Sequence, residues 1–505
     1  MTRNRLVLMT IAVAIGPFIE VMDLLVANVA LRHIAGSLSV STNEATYVVT
    51  SYMISNAIVL PMTGWLSQRL GHKRYFLYSV AVFGLASVAL AFSQNLTMLI
   101  ACALVQGLAG GALQPLSQTL LVQHYPREKL GTAMSIWAMT MVTAPAIGPL
   151  VGGWITDSLN WRWVFLINLP FCLLCIAMTS AFVPDTPAEK RRQPFDYPGF
   201  LLLVVAVGCL QYVLDRGGVE GWFDSPTILT LSLISLVALV SLLIWELGTP
   251  YPLLDLSVFG NRAFSLGTLV LGMGYGVFFS SVVLTPLWLQ SMMGYSATWA
   301  GLALMPTGTV VLLLLLVVAK LMPRVDIRWL VSAGLCVMAG SFFYFSHLTP
   351  YTSLEYILFG RILFGIAMVL FFAPISTIVL SQLKGSALAA GAGISGFFRN
   401  LSASIGTTAG IAYWDTGSQR SQTQLAEHVQ AYAPFWNAYY GTLHDALAQW
   451  QGANAHLTAT GTLYGRILDQ ARLLSLVHVF EYAGFLCLAV AALAWAIGPV
   501  RLQRR

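Results

Sequence analysis

Long apolar stretches, separated by short polar connections, set the pattern of this chain. About twenty predominantly apolar residues are needed to cross a bilayer as a helix. Fourteen stretches approach or exceed that length, at residues 7–30, 46–66, 75–93, 97–121, 131–156, 163–183, 198–215, 226–247, 264–289, 299–321, 327–347, 354–382, 391–414 and 474–498. The pattern predicts an all-α integral membrane protein. Composition agrees: 57% of the 505 residues are hydrophobic and 9% are charged, against about 25% charged in soluble domains.

The polar connections assign the two sides. With the N-terminus inside, eighteen Lys and Arg fall on the inner side, among them Arg69, Lys73 and Arg74, and six fall on the outer side. Arg361 and Arg399 lie within spans and complete the 26. Lys and Arg accumulate in cytoplasmic connections, so both termini are expected in the cytoplasm. The net charge of +6 is scattered over these connections, which argues against a nucleic-acid partner.

The Pro-rich, charged run from Pro184 to Pro198 divides the chain. Residues 1–183 are expected to form a six-helix bundle and 184–197 a cytoplasmic linker. Residues 198–263 supply two additional membrane helices with a cytoplasmic connection, and 264–505 a second six-helix bundle. Ala103-x-x-x-Gly107 with Pro115 and Ser117, and Arg361-x-x-x-Gly365 with Pro374 and Ser376, suggest pseudo-symmetric halves, as repeated transporters show. The extracytoplasmic loop 415–473 breaks the pattern, with runs that suit amphipathic helices. It is either a solvated loop or a docking surface for an outside partner.

All six cysteines lie in apolar segments, and Cys172-x-x-Cys175 lacks the βαβ context of a redox motif. They are read as packing residues, with no disulfide framework. The first apolar run is too long for a signal peptide and holds two acids, so it is read as an uncleaved span.

Those acids, Glu20 and Asp23, carry the chemistry. An Asp at the centre of a membrane helix costs about 2.5–3.5 kcal/mol on insertion scales, so an acid there is a functional residue by default. Three residues apart, the two share a helix face and are expected to titrate as a coupled pair. Such a pair suits a site that takes a proton from one side and releases it to the other. Arg361 and Arg399 are the other costly residues. An arginine keeps its charge and needs a partner, either an anionic substrate or the first-span acids; Arg399 can also snorkel to the cytoplasmic edge. Candidate walls of a substrate cavity are Gln114, Gln118, Trp137, Tyr275, Phe279, Phe371 and Phe372, since such cavities combine aromatic surface with a few polar groups.

Two motifs add organisation. Gly64-Trp65-Leu66-Ser67-Gln68-Arg69-Leu70-Gly71-His72-Lys73-Arg74 makes a tight basic connector. Ala144 to Gly153 contains Pro145, Gly148, Pro149, Gly152 and Gly153 inside the fifth span. Its small residues permit close helix approach and its prolines permit bending.

In order and spacing these motifs resemble the major facilitator superfamily, specifically its fourteen-span drug:proton antiporters of the EmrB type. Gly64 to Lys73 is similar to the cytoplasmic signature, and Gly148-Pro149-x-x-Gly152-Gly153 to the antiporter signature. Asp23 with Asn28-Val29-Ala30, and Trp161 to Pro170, match further family motifs. So do Leu214-Asp215-Arg216-Gly217 and Arg399 to Thr407. The resemblance implies two six-helix bundles with two extra helices between them. It also implies proton-driven efflux of lipophilic or amphipathic compounds by alternating access, without metal or cofactor. It places the protein in a bacterial inner membrane, with a periplasmic adaptor and an outer-membrane channel as partners, and makes loop 415–473 the docking surface.

Two departures stand out. The connector carries Gln68 and His72 where the family has an acid and a basic residue. The fourth span reads Ala103-Leu104-Val105-Gln106-Gly107, without the family's arginine. Arg361 occupies the equivalent place in the second half and is expected to supply that charge. The competing readings are a proton-coupled carrier for a metabolite or nutrient, and a non-transporting membrane receptor. The absence of HExxH, a P-loop or a nucleophilic triad argues against an enzyme.

Overall fold

An apolar span offers its backbone no water, so each N–H and C=O must pair within the segment, and the segment becomes a helix. The computed structural model describes residues 3–126, 129–185, 194–383, 386–428, 434–451 and 454–498. Lys190, Arg191 and Arg192 of the linker lie outside the described residues. The first helices are α1 (Arg3–Leu38), α2 (Thr42–Leu70), α3 (His72–Ala91), α4 (Leu96–Gly110), α5 (Leu113–His124), α6 (Leu130–Ser158), α7 (Trp163–Leu166) and α8 (Asn168–Phe182). A hairpin follows, α9 (Tyr197–Arg216) and α10 (Pro226–Gly248). The remainder are α11 (Arg262–Ser291), α12 (Ala297–Leu321), α13 (Ile327–Phe345), α14 (Leu354–Ser381), α15 (Ser386–His428), α16 (Pro434–Gln451) and α17 (Ala455–Ala494).

Among the described residues twelve helical segments are long and apolar enough to cross a membrane, with α4 and α5 forming one of them. The bent α6 makes a thirteenth. Helix α15 has a polar extension that lowers its hydropathy, yet it lies along α2, α11 and α17 and completes about fourteen spans. The α6 bend is 42° between Leu130–Pro145 and Leu150–Thr156. It falls in the proline- and glycine-rich motif, where backbone pairing is weakest.

Helices α1–α8 and α11–α17 form two sets, which meet where α2 and α5 face α15 and where α6 lies along α12 and α14 as extensively as along α1. Glycines set how closely they meet. Gly393 faces the backbone of Leu60, and Gly64 faces that of Ala390. Gly64, expected as part of a connector, thus also lies at the seam. Helix α9 bridges the same seam. Its Asp215 accepts a hydrogen bond from Thr50 of α2, and its Gln211 donates to Ser404 of α15 at 3.0 Å.

The long loop is largely helical. Helix α15 continues to His428, α16 follows, and α17 begins well before its apolar part. Gln422 donates to Tyr464 at 2.9 Å, tying α15 to α17, and Arg466 donates to Tyr439, tying α17 to α16.

Candidate functional site

The site is assembled where α1, α2, α5, α6, α11 and α15 converge. Gly107 and Gly111 have no side chain to hold α4–α5 away from α2, so they lie against the backbone of Tyr52 and Asn56. This brings Asn56 of α2 beside Gln114 of α5. On the other side Gly276 lies against the Ser402 backbone, and Gly406 against that of Gly276. This brings Tyr275 of α11 beside Arg399 of α15.

Glu20, Asp23, Arg361 and Arg399 are all buried, at 4%, 2%, 1% and 1% exposure. They enter different surroundings. Glu20 Oε1 accepts a hydrogen bond from Asn56 Nδ2 at 2.9 Å. Asn56 Oδ1 in turn accepts from Asn400 Nδ2 at 3.0 Å. Gln114, Asp23 and Arg399 also act on Glu20, whose Oε2 makes no hydrogen bond. Asp23, three residues along, points into the first bundle. It accepts from Asn168 of α8 and has Gln106 of α4 as a further partner. Ser87 of α3 accepts from both of those amides, at 3.3 Å from Asn168 and 2.9 Å from Gln106. The two acids therefore serve separate hydrogen-bond networks, although they share one helix.

Arg399 donates to Gln114 and lies over the rings of Trp137 and Tyr275, 5.1 and 5.5 Å from their centroids. Its Nε and Nη1 make no hydrogen bond. Lys73–Asp185 and Arg328–Asp326 form ion pairs, whereas among the described residues neither Arg399 nor Arg361 has a carboxylate in such contact. A buried cation without a carboxylate in contact is costly. Here aromatic faces and an amide oxygen compensate in part.

Around this centre the aromatic residues sort themselves. Tyr275 packs in tilted contact against Phe279, with ring centroids 4.7 Å apart, and against Phe372 at 5.2 Å. Trp137 is buried and donates to Ser117 at 2.9 Å. Of the expected wall residues, Gln114, Trp137 and Tyr275 touch Arg399, and Phe279 and Phe372 lie behind Tyr275. Gln118 is buried one turn further along α5, with its Oε1 unpaired. Phe371 instead fills the space beside Gly274 and Gly334.

Arg361 stands apart. It donates to Ser281 Oγ at 3.2 Å and to Thr285, and lies 5.3 Å from the Phe345 ring. It borders a cavity of about 10 Å³ that Pro145 of α6 also lines. Arg399 of the second bundle acts electrostatically on Glu20.

The conformational motifs occupy mechanical positions. Gly148 and Gly152 of α6 lie against Leu25 and Val26 of α1, just past Asp23. Gly153 faces Thr298 of α12 at 3.8 Å. The Pro149 side chain lies outside the described residues. Gly71, with φ 82°, is the sole residue between α2 and α3. Arg69 lies over Trp65, and Lys73 pairs with Asp185 at 3.1 Å.

Asn56 escaped the sequence reading, and Asn168, Asn400 and Gln106 entered it only inside family motifs, not as site residues. Their signal is an amide inside an apolar run, which is weaker than a charge.

This arrangement, two helical bundles with charged and amide side chains meeting at their seam, is that of a membrane transporter. The model of the Major Facilitator Superfamily matches residues 13–407. The chain belongs to that superfamily and is a transporter, not an enzyme. It is 36% identical to the multidrug export protein EmrB of Escherichia coli strain K12 over 497 residues, covering 98% of this chain and 96% of the relative. It is 34% identical to the fatty acid resistance protein FarB of Neisseria gonorrhoeae over 492 residues, covering 97% and 96%. Among solved structures, the proton:xylose symporter XylE matches with TM-score 0.61 at 13% identity, covering 100% of this chain and 98% of XylE. The human organic anion transporter MFSD10 matches with TM-score 0.56 at 14% identity, covering 96% and 100%. At those identities the two structures support the fold alone.

Proposed function

We propose that this chain is a drug:proton antiporter that exports lipophilic or amphipathic compounds by alternating access. The observation that carries the reading is the meeting of Glu20, Arg399, Gln114 and the aromatic rings at the seam. Buried charges with unpaired polar atoms are costly in a static protein and useful where a proton or substrate exchanges with them. Glu20 and Asp23 take up and release protons. Gln114, Trp137, Tyr275, Phe279 and Phe372 bind the cargo, and Arg399 links the two tasks. Arg361 has no part in this relay, because serine, threonine and phenyl groups enclose it. Relatives named for multidrug export, fatty acid resistance and colistin resistance support a broad amphipathic cargo.

The two bundles, 1–183 and 264–505, rock against each other, with residues 198–263 as a strap across the seam. Membrane potential supplies about 2.3 kcal/mol per charge per 100 mV, so one proton drives only moderate accumulation unless a pH gradient adds to it. The excess of Lys and Arg on one side supports an inner-membrane orientation with both termini cytoplasmic. The helical projection of α15, α16 and α17 then faces the periplasm and suits a membrane-fusion adaptor that leads to an outer-membrane channel.

The test is drug-susceptibility profiling of cells with and without the gene, with Asp23→Asn as control. The reading requires resistance to several chemically unrelated amphipathic drugs that Asp23→Asn abolishes. Unchanged susceptibility across the panel would sink it.

A further inference from the structure

The hydrogen bonds at the seam have a direction, and the direction depends on the charge of Glu20. An ionised carboxylate only accepts hydrogen bonds; a protonated one also donates. With Glu20 ionised, the Asn56 amide must turn its NH2 to Glu20, which leaves its oxygen for the Asn400 NH2 of the opposite bundle. Gln114, within reach of the same carboxyl, turns its oxygen to Arg399. The carboxylate thereby sets two amides so that each offers an acceptor to a donor on α15.

A proton on Glu20 changes what each of its amide neighbours faces. On Oε1, the new O–H faces the Asn56 NH2. Relief requires the amide to flip, which sets its NH2 against that of Asn400, donor to donor. On Oε2, which has no hydrogen bond, the new O–H needs an acceptor. The Tyr52 hydroxyl, which makes no hydrogen bond, is one; the Gln114 oxygen is the other, and because that amide turns its NH2 to the carboxyl and its oxygen to Arg399, it must rotate off Arg399 to accept. Loss of negative charge also removes an electrostatic attraction on Arg399. The other titratable groups acting at this carboxyl are Asp23, Tyr52 and Tyr275, on α1, α2 and α11; Tyr275 also meets Arg399 through its hydroxyl, a third polar contact with α15 beside the two amide chains.

We propose that Asn56 and Gln114 are positioning residues that transmit the protonation state of Glu20 to Asn400 and Arg399, so that proton binding loosens α15 from the first bundle. This rests on the reading of Glu20 as a proton site. The relay uses no new bond and no co-reactant. It turns one proton into the loss of a tie between bundles, which is what a proton-driven rocking motion requires.

Asn400 offers the cleanest test, because it donates to Asn56 and has no assigned contact with cargo. The full-length chain is reconstituted in proteoliposomes, and pH-gradient-driven ethidium transport is measured from pH 5 to 9 beside equilibrium ethidium binding. Asn400→Leu removes the donor, Asn400→Asp replaces it with an acceptor, and Asn400→Gln keeps it. The expected result is a drop of about tenfold in driven transport with a flattened pH profile for Leu and Asp. Binding stays within about twofold and Gln restores most of the transport. Asn400→Leu or Asn400→Asp matching the parent in rate and pH profile overturns the relay. So does binding that falls in step with transport, which would make Asn400 a wall of the cargo site. Should Asn400→Leu fail to assemble, the isosteric Asn400→Asp decides. A parent protein that shows no pH-driven ethidium transport, while still binding ethidium, overturns the proton reading itself and the relay with it.

Discussion

Arg399 of α15 donates a hydrogen bond to Gln114 of α5, joining positions 285 residues apart across the seam of the two bundles. The guanidinium carbon also lies 5.1 Å from the Trp137 ring centroid and 5.5 Å from that of Tyr275, within range of both rings. Lysine would keep the charge but lose the planar fork and much of the stacking. Cation–π contacts contribute about 0.5–2 kcal/mol, and 1.4 kcal/mol is a factor of ten. Arg399→Lys is therefore expected to lower dye efflux about tenfold at unchanged protein level, and Arg399→Gln to lower it further. Efflux from cells, normalised to membrane-inserted protein, checks this; a lysine variant equal to the parent would mean that charge alone suffices.

Of two adjacent glycines in α6, one is expected to be sensitive to a methyl group and the other tolerant of it. A Cβ at Gly152 would sit 3.1 Å from Val26 Cα and 3.3 Å from Val26 O, on the backbone that carries Asp23. A Cβ at Gly153 would find nothing nearer than Thr298 Oγ1 at 3.8 Å. Overpacking of this kind costs about 1–3 kcal/mol. Gly152→Ala should therefore impair efflux several-fold and lower the melting temperature in detergent, while Gly153→Ala stays close to the parent in both. Equal effects at the two positions would contradict the close α1–α6 contact.

The fold was legible because apolar length and Lys/Arg sidedness are strong, additive signals. Burial costs also flagged Glu20, Asp23, Arg361 and Arg399. Sequence could not tell which faces the seam, because that depends on the rotation of α14 and α15 about their own axes. Arg361 and Arg399 are equally costly in a list of residues, yet one is enclosed by Ser281 and Thr285 and the other by Gln114, Trp137 and Tyr275. The spacing of Glu20 and Asp23 put both on one helix face, but the amides that separate their networks come from α2, α4, α5 and α8. Neutral amides cost less to bury than charges, so Asn56 and Asn168 resembled ordinary interior residues until their partners were visible.

That separation predicts different phenotypes for the two acids. Asp23 is held by Asn168 and Gln106 inside the first bundle, away from the rings that gather around Arg399. Asp23→Asn keeps the size of the side chain and removes its titration. It should leave dye binding near the parent level while abolishing driven efflux. Glu20→Gln changes a group at the seam itself, and should weaken binding as well as efflux. Parallel binding and efflux measurements on both variants separate the cases; proportional losses in both would place the two acids in one site.

The one-residue connection between α2 and α3 supports a prediction about stability. Gly71 has φ 82° and ψ 141°, a region that costs a residue with a side chain about 1–3 kcal/mol. It ends α2 through its N–H to Ser67 O at 2.9 Å and opens α3 through its carbonyl to Tyr75 N at 3.0 Å. No neighbouring residue can absorb the strain, because both sides are helical. Gly71→Ala should therefore lower the melting temperature in detergent by a few degrees. Asp185 is the useful contrast. It pairs with Lys73 of the same motif at 3.1 Å, but its side chain is 82% exposed. Exposed pairs contribute about 0–1 kcal/mol, and Lys73 keeps the Ser180 carbonyl at 3.2 Å as a second acceptor. Asp185→Asn should thus melt close to the parent, with any difference fading at high salt. A larger loss for Asp185→Asn than for Gly71→Ala would show that the ion pair, and not the glycine backbone, holds the α2–α3 connection in place.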